Sequence, residues 1–217
     1  MNPRSTRIAR LVPMAAAIGA LAVLSTTACA SPSQEVAQAS GVSTQQSEYK
    51  GTELAIPTPI PAVTLTDFNG KPYDLKANAA GKLTLVYFGY THCPDECPTT
   101  MADLASALRL LPADKAAKVQ VVFVTTDPDR DTAPVLKAWL GKFNPDFVGL
   151  TGTVAQVDDT AKLAATPVAP PVKNPDGTIE VDHGTQVNAF GTDGLAHVVW
   201  LAGVAPKDIA HDISLLT

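Results

Sequence analysis

The sequence has no excess of positive charge: 21 Asp and Glu stand against 16 Lys and Arg, and three of the latter, Arg4, Arg7 and Arg10, fall in the first ten positions. A nucleic-acid-binding chain shows the opposite balance, so nucleic acid is excluded as a partner. There is no internal repeat and no sign of a second domain; 217 residues, 46% of them hydrophobic, suit one core with an extension. The long apolar stretch Leu11 to Leu24 is interrupted by Pro13 and Gly19. It falls short of the ~20 residues that span a bilayer comfortably. Cysteine is confined to Cys29, Cys93 and Cys97.

What is present at the N-terminus reads as an export signal over residues 1–30: basic residues to Arg10, the apolar stretch, then small residues from Ser25 to Ala30. Thr27-Ala28-Cys29 resembles the lipobox of bacterial lipoproteins, in which the cysteine is acylated, although Thr26 replaces the usual apolar residue. Ala28-Cys29-Ala30 also has the A-x-A form of an ordinary cleavage site. A Ser/Gln-rich stretch over 31–53 follows as a tether would, which favours lipidation at Cys29. Either outcome removes Cys29 from thiol chemistry. One pair of thiols then remains in an oxidising compartment, where a reductant must keep it reduced.

That pair lies in Leu83 to Met101, LTLVYFGYTHCPDECPTTM. Leu83 to Tyr90 is a short apolar run rich in β-branched and aromatic residues, which predicts a strand covered on both faces. Pro98 disfavours a helical conformation at Cys97 and suits a first helical position, so the helix is expected to start there with Cys97 as its N-cap. The helix dipole then favours thiolate at both sulfurs, while Asp95 and Glu96 oppose it; the sequence leaves that balance open. A structural disulfide across three residues constrains the unfolded chain little. A pair at the carboxyl end of a strand, where open α/β sheets bind ligands, reads instead as a redox or metal site.

The rest of the domain, 54–217, is expected to run as follows. Ala62 to Asp67 and Pro72 to Leu75 form a hairpin about Asn69-Gly70. A helix from Pro98 to Leu111, a strand Val119 to Thr125, a helix Ala133 to Phe143, a strand or turn Phe147 to Leu150 and a helix Val154 to Ala165 come next. A Pro-rich excursion over Thr166 to Asp182 breaks the pattern before a closing hairpin, Gln186 to Phe190 with Ala196 to Leu201, and a last helix from Pro206. The fold class is therefore α/β, a thioredoxin-like fold with an added N-terminal β-hairpin and a long loop insertion before the final β-hairpin.

FGYTHCPDECPTT (Phe88 to Thr100), TTDPDRDT (Thr125 to Thr132) and VDH (Val181 to His183) resemble, in order and spacing, the motifs of the Sco/SenC family. Members of that family are membrane-anchored, thioredoxin-like copper proteins that help assemble the copper centre of cytochrome c oxidase. The resemblance covers Ile56 to the C-terminus. It implies that Cys93, Cys97 and His183 hold one copper ion per monomer, to be delivered to an exported copper-site subunit of the oxidase. A copper donor and a thiol reductant are further expected partners, and the location is the outer face of the bacterial cytoplasmic membrane, through the lipid on Cys29. Thiolate suits Cu(I) and imidazole suits Cu(II), whereas structural zinc takes four protein ligands. Asp127 is expected either to hydrogen-bond the site or to shape its loop. His92 is expected to be turned away, and His197 and His211 to lie on strand and helix surfaces. The chain departs from the family pattern at Gly184-Thr185, where Ser commonly follows the Asp-His pair, and in a Pro- and Ala-rich segment where aromatics are usual. A thiol–disulfide oxidoreductase acting on cysteines of an exported target is the competing function, though its common motif is C-x-x-C. A peroxide-reducing activity would place Thr three residues before the reactive cysteine; Thr91 is two before Cys93.

Overall fold

The computed structural model describes residues 47–217, so the export signal, Cys29 and tether residues 31–46 lie outside the described residues. Among the described residues the first element is an edge strand, β1 (Thr52–Pro59), followed by β2 (Thr64–Asp67), β3 (Pro72–Asp74) and a short helix α1 (Leu75–Ala79). The central unit follows: β4 (Leu83–Gly89), α2 (Glu96–Leu110), α3 (Ala113–Ala116), β5 (Val119–Thr125), α4 (Ala133–Leu140), β6 (Val148–Thr151) and α5 (Val154–Leu163). A two-strand excursion, β7 (Val172–Lys173) and β8 (Ile179–Glu180), precedes β9 (Val187–Phe190), β10 (Leu195–Trp200) and α6 (Pro206–Leu216).

The main sheet runs β1-β10-β9-β4-β5-β6-β2-β3. Strands β4, β5 and β6 are parallel, while β9 joins β4 antiparallel. All seven residues of β4 are buried, as a strand covered on both faces requires. Its side chains alternate between two cores. Leu83, Leu85 and Tyr87 pack with residues of α2, α4 and α6. Val86 and Phe88 pack with Leu75 of α1 and Val157 and Ala161 of α5.

The N-terminal hairpin is β2–β3, turning through Gly70 at φ 75°. The structure differs from expectation just before it. Thr52–Pro59, for which the sequence offered no strand expectation, forms a bulged strand against β10 despite Pro57 and Pro59. An edge strand tolerates proline because one side of it needs no ladder donors. Ordered structure also begins inside the stretch expected as tether: the Lys50 and Gly51 amides each donate to the buried Asp212 carboxylate over 2.8 Å, and the Trp200 indole does the same. The Pro-rich excursion is closed by a turn in which Asn174 N donates to Thr178 O, with Gly177 at φ 89°.

Candidate metal centre

Strand β4 delivers the chain to the site through Gly89. A Cβ there would lie 2.6 Å from the Cys97 sulfur and 2.7 Å from the Tyr87 ring, so the strand can pass this close to the sulfur only as glycine. The following turn carries Tyr90 to Asp95, with Cys93 half-buried and Cys97 fully buried; both cysteines are unbridged. Helix α2 starts at Glu96 with Asp95 as N-cap, two residues before the expected start, so Cys97 lies in the first turn rather than at the cap. Pro98 is accommodated because the first turn of a helix has no use for its N–H. The Cys97 amide points at the Cys93 sulfur over 3.4 Å, and the Tyr90 amide at the Cys97 sulfur over 3.4 Å.

The Tyr87 hydroxyl also faces the Cys97 sulfur, at 3.7 Å. Burial pushes the Cys97 thiol up to about 12; the Tyr90 amide and Tyr87 hydroxyl act in the opposite sense, and the adjacent Cys93 adds to the rise. Desolvation is the largest influence on this sulfur. Tyr87 is raised too, by burial first and then by the neighbouring Cys97.

His183 comes from a segment 86 residues away, yet its Nε2 stands 3.5 Å from the Cys97 sulfur. Its Nδ1 lies 3.0 Å from the Gly184 carbonyl oxygen, which only a protonated nitrogen can engage. In the neutral ring that contact makes Nε2 the lone-pair nitrogen, and it is Nε2 that is directed at the thiols. The segment is pinned locally: Val168 and His183 form an isolated antiparallel bridge, Ala169 N donates to Asp182 O, and Gly184 N donates to Pro167 O. A Cβ at Gly184 would sit 3.1 Å from both Pro167 Cδ and Thr166 Cγ2, so glycine here permits this close seating. Sulfur of Cys93, sulfur of Cys97 and a ring nitrogen of His183 all lie within 4.8 Å of one another. Two soft sulfurs and one imidazole form a donor set that fits copper in either common oxidation state, and three ligands leave a coordination position for exchange.

Asp127 is not in that group. It is buried and accepts from Arg130 Nε, while its own amide donates to Thr125 Oγ1. Its contacts are with Thr125 and Arg130 of its own loop, not with the sulfurs or His183. Asp131, which the sequence reading did not single out as a site residue, clasps the cysteine turn: Thr91 N, Thr91 Oγ1 and Thr125 Oγ1 donate to it at 2.9, 2.5 and 2.7 Å. His92 lies beside it, half-exposed, 3.5 Å from Asp131 and turned from the sulfurs as expected. His92, Asp127 and Asp131 are close enough together to suggest a second metal group. The arginine on Asp127 and the donors on Asp131 already occupy those carboxylates, so the cluster is structural. His197 and His211 pair with Asp193 and Asp212, away from the site. The residues missed from sequence, Gly89, Tyr87, Tyr90 and Asp131, had one visible signal: a glycine ending an otherwise bulky apolar strand.

Comparison with known proteins places this geometry. The solution structure of apo Sco1 from Thermus thermophilus superposes with a TM-score of 0.70 at 30% identity, covering 78% of this chain and 97% of that one. The structure of Bradyrhizobium japonicum ScoI with copper bound gives 0.64 at 32% identity, covering 75% of this chain and all of that one (100%). The mitochondrial protein SCO2 of Saccharomyces cerevisiae is 45% identical over 98 residues, which are 45% of this chain and 32% of the yeast protein. The chain thus spans about a third of that relative's length. The sequence model of the SCO1/SenC family matches residues 60–217, and with the fold and the Cys-Cys-His grouping in agreement, the chain belongs to that family.

Proposed function

We propose that this protein is a copper metallochaperone that binds one copper ion through Cys93, Cys97 and His183 and passes it to the copper centre of an exported cytochrome c oxidase subunit. The observation that carries the reading is the His183 Nε2 lone pair held 3.5 Å from the Cys97 sulfur, with Nδ1 committed to Gly184 O. The copper-bound B. japonicum ScoI supports it at 32% identity, as does yeast Sco1, solved with copper bound, at 28%. Release follows from ligand exchange: an incoming thiolate or imidazole takes the open position, and half-exposed Cys93 lets go first. A copper donor loads the site and a thiol reductant maintains the dithiol. Among the described residues no helix is long and apolar enough to cross a membrane; acylated Cys29, through the tether, holds the domain at the outer face of the bacterial cytoplasmic membrane.

Two titrations of the reduced protein test this: Cu(I) under anaerobic reducing conditions, and Cu(II) anaerobically after the reductant has been removed. Wild type takes up one equivalent, Cys97→Ser loses Cu(I) binding, and His183→Ala weakens Cu(II) more than Cu(I), because imidazole is the harder donor. Undiminished Cu(II) affinity in His183→Ala removes that residue from the site. One observation favours thiol–disulfide exchange as a second reading: Cys93 is reachable and the Cys97 amide faces its sulfur, which suits an attacking thiol with Cys97 as the resolving one. Full biological activity of His183→Ala alongside an inactive Cys93→Ser would establish that reading instead.

A further inference from the structure

Apart from the Cys97 sulfur, the described side-chain partners of the His183 ring are two tyrosines, each met edge-on at an interplanar angle of 82°: Tyr87 at 6.0 Å and Tyr90 at 5.6 Å between centroids. They differ in what holds them. Tyr87 is fully buried in β4 and cannot move without the core. Tyr90 is half-buried in the turn that precedes the cysteines and needs a restraint of its own. Arg130 supplies one, with its guanidinium carbon 5.9 Å from the Tyr90 ring centre. Arg130 is itself held by the buried carboxylate of Asp127, and its Nη2 is buried with no hydrogen-bond partner. A buried guanidinium nitrogen without an acceptor needs another source of stabilisation, and the face of an aromatic ring provides it.

We propose that Tyr90 and Arg130 are positioning residues for His183. Asp127 fixes Arg130, Arg130 fixes the Tyr90 ring, and the Tyr90 ring together with Tyr87 sets the plane of the imidazole so that Nε2 faces the sulfurs. This gives the TTDPDRDT motif a function at the site although none of its side chains belongs to the ligand group. It predicts that the Cu(II) form, which depends on the imidazole, is more sensitive to Arg130 than the Cu(I) form, which two thiolates can hold. In its copper arm the inference rests on the function proposed above; its other arm needs no metal.

The test uses Arg130→Gln, Arg130→Lys, Tyr90→Leu and Tyr90→Phe in the full chain. In the reduced, metal-free protein the His183 imidazole NMR resonances should shift in Arg130→Gln and Tyr90→Leu and stay near wild type in Tyr90→Phe, which keeps the ring, and in Arg130→Lys, which keeps the cation. With copper added, Arg130→Gln and Tyr90→Leu should lose roughly ten- to a hundredfold in Cu(II) affinity, the usual size of an outer-shell effect. Their Cu(II) EPR hyperfine splitting should change and their Cu(I) affinity should fall much less. Unmoved His183 resonances in both variants overturn the proposal, as does loss of Cu(I) and Cu(II) by the same factor, which marks a merely structural role. A wild-type protein that takes up no copper removes the metal-carrying function, and the metal-free resonances then decide this inference alone.

Discussion

The buried thiol of Cys97 gives the sharpest quantitative expectation. Its sulfur sits under β4, against Tyr87, with no exposed surface, and burial pushes it from an ordinary value of 9.0 up to about 12. At pH 9 an ordinary thiol is about half ionised, whereas Cys97 is ionised in roughly one molecule in a thousand. The folded protein holds this proton more tightly than the unfolded chain does. The resulting stabilisation is complete below pH 9 and disappears as the pH rises towards 12, at about 1.4 kcal/mol per pH unit and on the order of 4 kcal/mol in all. The measurement is thiolate absorbance against pH in a Cys29→Ser protein and in Cys29→Ser/Cys93→Ser, where Cys97 is the sole thiol and lacks only the smaller rise that Cys93 contributes. Denaturant unfolding from pH 8 to 11 accompanies it, compared with the variant that also carries Cys97→Ser. A thiolate midpoint at or below the ordinary 9.0 would mean that burial does not hold the proton on this sulfur, and the stability difference would vanish with it. The same proton must leave when a metal binds, so Cu(I) affinity should rise about tenfold per pH unit on account of this thiol below pH 9.

Gly89→Ala forces a methyl group to 2.6 Å from the Cys97 sulfur; it should destabilise the fold by roughly 1–3 kcal/mol in urea unfolding and weaken Cu(I) binding by displacing that sulfur. Asp212→Ala strips the acceptor from the Lys50, Gly51 and Trp200 N–H groups, and roughly 3 kcal/mol of stability should go with it, seen as faster amide exchange across β1. Burial tends to raise the Asp212 carboxyl, but His211, Trp200 and the two amides outweigh it and hold the group below the ordinary value of 3.8. Its contribution is therefore present above pH 4 and fades in acid, whereas Asp212→Asn should show no such acid loss. Among the described residues Ala165 is the one non-glycine with a left-handed backbone, φ 52°; Ala165→Gly should raise the melting temperature, with about 1 kcal/mol of strain relieved, and a lower one would show that the turn is unstrained.

Local pattern settled a good deal of this protein. The continuous apolar run at Leu83 to Tyr90, the Asn-Gly turn and the helical periodicities identified most of the main elements, and two cysteines at a strand–helix junction marked the candidate site. The edge strand Thr52–Pro59 was hidden because its prolines are tolerated only once a neighbouring β10 has been positioned, a fact no local window contains. The start of α2 was misread by two residues because Pro98 can occupy any position in the first turn where no N–H is needed. The order of the sheet, the approach of His183 to the two sulfurs and the burial of Cys97 were decided only by folding. An imidazole 86 residues from the sulfur it faces is placed by pairing between Val168 and its own segment, and the Cys97 proton is governed by how completely water is excluded around the sulfur. The sequence named the ligand types because side-chain chemistry is local; their convergence and their charge are collective properties of the packed chain.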